Sequence, residues 1–78
     1  MFLTFEYDLE GGLEVTCDQE GRDYLIAVLA RIASGDHEHL STPAWGGDQL
    51  TDDFPNPDLA PIHQVTIQLK EQASEGPP

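Results

Sequence analysis

The sequence predicts an α+β domain: a small antiparallel sheet in the order ββαββ, with one helix packed on one face. Three observations predict it. Two short stretches in which apolar and polar residues alternate surround a glycine pair near the start of the chain. One stretch, from residue 19 to 34, carries apolar residues at helical spacing. Further along, short strand-like stretches are separated by a proline-rich connection.

From Met1 to Asp8, Leu3, Phe5 and Tyr7 alternate with Thr4 and Glu6, the pattern of a half-buried strand. Leu9-Glu10-Gly11-Gly12 reads as a turn, because glycines supply the positive φ angles of tight hairpins. Leu13, Val15 and Cys17 alternate with Glu14 and Thr16, giving a second strand antiparallel to the first. Cys17 falls on the apolar phase and is expected to be a small buried hydrophobe. Asp18 is a suitable N-cap, with Glu20 and Asp23 near the positive end of the helix dipole. Tyr24, Leu25, Val28, Leu29 and Ile32 form one stripe on a helix over 19–34, about 24 Å long, with Gly35 as a left-handed cap. Gly21 in the first turn weakens the helix unless a strand packs closely against it.

His37 to Thr42 reads as a third strand that ends at Pro43. Three prolines between Pro55 and Pro61 indicate a loop without regular structure. His63, Val65, Ile67 and Leu69 alternate with Gln64, Thr66 and Gln68, a last strand able to pair with the third. The domain therefore spans residues 1–70. Residues 71–78 have nothing to bury and are expected to form a disordered tail.

Length and charge restrict function. With 78 residues the chain supports one small core, which buries only about 60% of the surface exposed by the unfolded chain. Covering a sheet edge or helix face with a second copy stabilises such a domain, so a homodimer is expected. The single cysteine excludes an internal disulfide and fits a reducing compartment. No basic leader or long apolar run opens the chain, so the expected location is the cytoplasm. Fifteen acids against three bases give a net charge of −12, which disfavours nucleic acid and anionic membranes and serves either solubility or a surface complementary to a basic protein partner, two readings between which charge does not choose.

The stretch from His37 to Leu50 breaks the periodic pattern. It holds two of the three histidines, the only tryptophan and a second glycine pair. Asp36, His37, Glu38, His39, Trp45, Gly46, Gly47 and Asp48 make a candidate protein-binding surface, since tryptophan beside polar groups on an irregular loop suits a hot spot. Packing over the open end of a small core is the structural alternative for Trp45. A second functional reading is a metal-binding or catalytic domain in which His37, His39 and His63 act with Asp36 or Glu38. No nucleophile-elbow pattern surrounds Ser34 or Ser41, so no catalytic residue is assigned, and the chain is not expected to be an enzyme or to need a cofactor.

The run His-x-His-Leu-x-Thr-Pro-x-Trp-Gly-Gly-x-x-Leu-Thr, from His37 to Thr51, resembles the signature of the immunity protein 32 family of bacterial polymorphic toxin systems. The helix start Asp18-Gln19-Glu20-Gly21, the pair Tyr24-Leu25 and the strand start Ile62-His63 resemble that family too; Gln64 stands where a second histidine is common. The resemblance covers Leu13 to Leu69. It implies a small cytoplasmic protein that binds and neutralises a cognate toxin, without catalysis. A nuclease toxin would suit the acidity.

Overall fold

A computed structural model describes residues 1–71. The predicted tail lies, from residue 72 onward, outside the described residues. The order is β1 (Leu3–Tyr7), β2 (Leu13–Cys17), α1 (Gln19–Arg31), β3 (His37–Ser41), a 3₁₀ turn (Pro43–Trp45), β4 (Ala60–Pro61) and β5 (Gln64–Gln68). The α+β class and the ββαββ order hold. The strands form two small antiparallel sheets, β2-β1-β4 and β3-β5. β4 is an addition to the expected loop: two residues of the proline-rich connection pair with Glu6 and Tyr7 of β1. Pro61 is tolerated there because a sheet margin leaves an unused N–H position.

β1 is the central strand of its sheet. Leu3 and Phe5 point into the core with Val28, Leu40 and Leu50, and Tyr24, Leu25, Ile32, Ile62, Val65 and Ile67 pack around them. Thr4 and Glu6, on the opposite face, are also fully buried, so β1 is covered on both sides and not half-buried as its alternation suggests. The connection after the 3₁₀ turn provides the second cover. Thr51 N–H donates to the Leu3 carbonyl at 2.8 Å and Leu3 N–H donates to Thr51 Oγ1 at 3.0 Å. Asn56 N–H donates to Glu6 Oε2 at 3.2 Å, while Glu6 Oε1 and Thr4 Oγ1 have no partner among the described residues.

β2 corrects another expectation. Its apolar phase faces the helix side, yet Leu13 and Val15 are 62% and 42% exposed and Cys17 is exposed too. The helix is too narrow to roof the whole sheet: its inward stripe covers β1 and leaves the outer margin of β2 open. Leu29, expected in that stripe, is likewise 56% exposed.

The helix starts as its sequence indicates. Asp18 Oδ1 accepts from Gly21 N–H at 2.7 Å, satisfying a first-turn donor. Hydrogen bonding from the backbone at Phe2, then at Gly21, holds the Asp18 carboxyl below its ordinary range. α1 ends earlier than expected, because Ile32 is already extended at φ −71° and ψ 125°. Gly35, at φ +85°, instead shapes the turn into β3, and its N–H donates to the Leu69 carbonyl at 2.9 Å.

Gly21 is required for a different reason: a Cβ at this position would overlap the Phe2 carbonyl oxygen, which is bonded to Asp18 N–H. Gly21→Ala should therefore destabilise the fold by about 2–4 kcal/mol despite alanine's higher helix propensity. A urea unfolding midpoint at or above that of the parent would contradict the close packing of α1 on the start of β1.

Candidate functional site

The ladder between β3 and β5 sets the face on which each candidate residue lies. His37, His39 and Ser41 pair with Gln68, Thr66 and Gln64, and alternation along β3 sends Glu38 and Leu40 to the other face. His39 Nδ1 lies 2.8 Å from Thr66 Oγ1, and Gln64 Nε2 donates to Ser41 Oγ at 3.2 Å. The His37 and His39 rings meet edge to face at 4.8 Å. The result is an exposed polar face carrying two neighbouring imidazoles.

Glu38 is drawn away from that surface. Arg31, in the last turn of α1, donates from Nε to Glu38 Oε2 at 2.7 Å and from Nη2 to Oε1 at 2.6 Å. The same guanidinium lies 5.9 Å from the centre of the Tyr24 ring. Arg31 hydrogen bonding holds the Glu38 carboxyl below its ordinary range, and Glu38 raises the Arg31 pKa. This pair ties the helix to β3 and gives Glu38 a partner within the chain.

Trp45 ends the 3₁₀ turn that follows β3. Its N–H and that of Gly47 both donate to the Thr42 carbonyl at 2.9 Å. Gly46 adopts φ +82°, a left-handed conformation that glycine enters without steric cost. Gly47 serves close approach: a Cβ there would lie 2.6 Å from both Cβ and the carbonyl oxygen of Ser41. The glycines thus let the turn fold back on β3. Leu50 is thereby delivered to the core, with its N–H donating to the Ser41 carbonyl at 3.1 Å.

The folded-back turn lays Trp45 over His63. The rings are stacked with centroids 6.1 Å apart and an interplanar angle of 9°. Phe54 meets His63 edge-on at 5.5 Å, and a 2.8 Å hydrogen bond joins His63 Nδ1 to Thr42 Oγ1. Trp45 itself is 62% exposed. An indole held from beneath and open above has already lost rotamer freedom, so less entropy remains to be lost when a partner covers it. Asp36 and Asp48 are exposed.

Phe54 and His63 were not among the residues singled out for this surface. Phe54 carries no local signal, since it sits among acids and prolines, and only the fold brings it to His63. For the alternative metal reading of His37, His39 and His63, no group of three His, Cys, Asp or Glu side chains among the described residues is placed to hold a metal ion. His39 and His63 are instead each engaged by a threonine hydroxyl.

Two measurements follow from this geometry. Trp45→Ala should cost only about 1–2 kcal/mol of stability, because much of the ring is already in water; a loss near 4 kcal/mol would mean that the indole is a core residue. The depressed carboxyls of Glu38 and Asp18 stabilise the fold fully above their ordinary values of 4.5 and 3.8. That contribution is lost as pH falls through their lower folded values. Glu38→Gln should therefore flatten the acid limb of a stability–pH profile, and an unchanged limb would exclude a contribution from the pair.

No protein-family model, curated protein or solved structure matches this chain.

Proposed function

We propose that this protein acts by binding another protein, as an immunity protein that neutralises a cognate bacterial toxin in the cytoplasm, stoichiometrically and without catalysis. The observation that carries the reading is Trp45, exposed yet held stacked on His63, which Phe54 meets edge-on, by a turn that only glycines allow. A rigid exposed indole is the feature most enriched at the energetic centre of protein interfaces. The resemblance of the run from His37 to Thr51 to the immunity protein 32 signature names the class of partner. No helix among the described residues is long and apolar enough to cross a membrane.

The contact surface comprises Trp45, His37, His39, Gly46, Gly47, Asp36 and Asp48, extended by Phe54 and His63. The net charge of −12 favours a basic toxin, such as a nuclease, by steering its approach. Glu38 is left out because Arg31 already neutralises it.

The test is co-expression with the toxin domain encoded beside the gene, followed by isolation of a one-to-one complex and a cell-survival assay. Trp45→Ala should weaken the complex by at least about 2 kcal/mol, more than it weakens the fold. Reversing Asp36 and Asp48 to lysine should slow association more than reversing Glu71, and added salt should slow it further. Absence of both complex and protection would overturn the immunity reading. Equal effects of the reversals at all three positions would move the surface elsewhere.

A further inference from the structure

The outer margin of β2 is open in a regular way. Along the β1–β2 ladder, Asp18 N–H donates to the Phe2 carbonyl and Asp8 N–H to the Gly12 carbonyl, each at 3.0 Å. These bonds fix the phase. The even-numbered residues of β2 exchange hydrogen bonds with β1, while Leu13, Val15 and Cys17 form the non-bonded pairs with Tyr7, Phe5 and Leu3. Consistently, the carbonyls of Leu3 and Phe5 bond in the other direction, to Thr51 and Ile62. The N–H and C=O groups of Leu13, Val15 and Cys17 therefore point away from the sheet. β2 is a terminal strand, and none of these groups has a backbone partner among the described residues.

The side chains of the same three residues lie exposed on the helix face of the sheet. On the neighbouring flank of α1, Leu29 is 56% exposed. At about 100° per residue it lies roughly 160° around the helix from Arg31 and roughly 100° from the buried Val28. Arg31 is bound to Glu38 on β3, so Leu29 lies on the flank away from β3, on the side of β2. Outward backbone groups and an apolar strip thus run side by side along one margin.

We infer that β2 is a dimerisation edge, where a second copy of this chain pairs antiparallel about a two-fold axis at Val15 and the two sheets become continuous. Charge selects this register. An axis at Val15 places Glu14 opposite Thr16 of the other copy, Leu13 opposite Cys17 and Asp18 opposite Gly12. No acid faces an acid. Moving the axis to Glu14 would set Glu14 against itself, and moving it to Thr16 would set Glu14 against Asp18, both repulsive cross-strand pairs. Like its two neighbours, the Val15 register sets odd residues against odd ones, so outward groups meet outward groups; it alone keeps Leu13, Val15 and Cys17 all paired within β2. A two-fold axis normal to the sheet keeps both helices on one face, so the Leu29 flanks approach each other. This surface is separate from Trp45 and His63, and a dimer leaves that site free.

The overall charge works against association, since each copy carries −12. Screening that repulsion should tighten the dimer, the opposite of the salt response expected with a basic partner. Sedimentation of the full chain under reducing conditions, from about 5 µM to about 500 µM, should show a reversible monomer–dimer equilibrium that tightens as salt is raised. Val15→Lys and, independently, Leu29→Lys should each weaken it at least tenfold while circular dichroism shows a folded chain.

The register is read from Thr16. Thr16→Lys should tighten the dimer and Thr16→Glu weaken it, the two differing by roughly tenfold or more, because each substitution faces Glu14 twice in the dimer. Gln68→Lys and Gln68→Glu, exposed on β5, make the same changes in net charge and should differ far less. A monomer at every concentration and salt level overturns the inference, as does a dimer that is indifferent to Val15→Lys and Leu29→Lys. A dimer sensitive to those two, in which the Thr16 variants differ no more than the Gln68 variants, overturns the Val15 register.

Discussion

β1 is the strand on which the rest of the structure depends, because both of its edges and both of its faces are occupied. Its even residues bond to β2, and its odd residues bond to Thr51 and Ile62. Leu3 and Phe5 meet the helix side, while Thr4 and Glu6 are sealed under the long connection. In a chain of this size one strand buried all round supplies much of the available core. It also sets where everything else can go. The helix settles on β1, β2 becomes a margin, and the connection that covers the opposite face must leave from the Trp45 turn.

This constraint joins the core to the candidate site. Gly47 presses against Ser41, which lets the turn double back and bring Leu50 into the core. The same reversal leaves Trp45 outside, lying on His63. A single local geometry therefore provides a buried leucine and an exposed indole five residues apart. The Arg31–Glu38 pair completes the frame by fixing the end of α1 against β3, the strand that carries His37 and His39.

The two open apolar features have different characters. Trp45 is a single aromatic ring in a polar and acidic setting, suited to a partner that brings its own complementary chemistry. The β2 margin is a run of backbone donors and acceptors beside aliphatic side chains, suited to another strand. Their responses to salt are expected to differ in sign, since one depends on attraction between unlike charges and the other works against repulsion between like ones.

The sequence by itself determined the elements whose signals are local. Alternation marked β1, β2 and β5, the Gly11-Gly12 pair marked the hairpin, Asp18 marked the start of the helix, and the break in pattern marked the stretch around Trp45. Periodicity reports which residues share a face, and it holds no information on how far a neighbour extends over that face. Tertiary structure alone decided that Cys17, Val15 and Leu29 stay exposed while Thr4 and Glu6 are buried. It decided equally that Glu38 serves Arg31, that Phe54 reaches His63, and that two residues of the proline-rich connection complete a sheet. Each of those outcomes joins residues at least seven positions apart in sequence or depends on the width of one helix over a sheet, and neither quantity is written in any local run of residues.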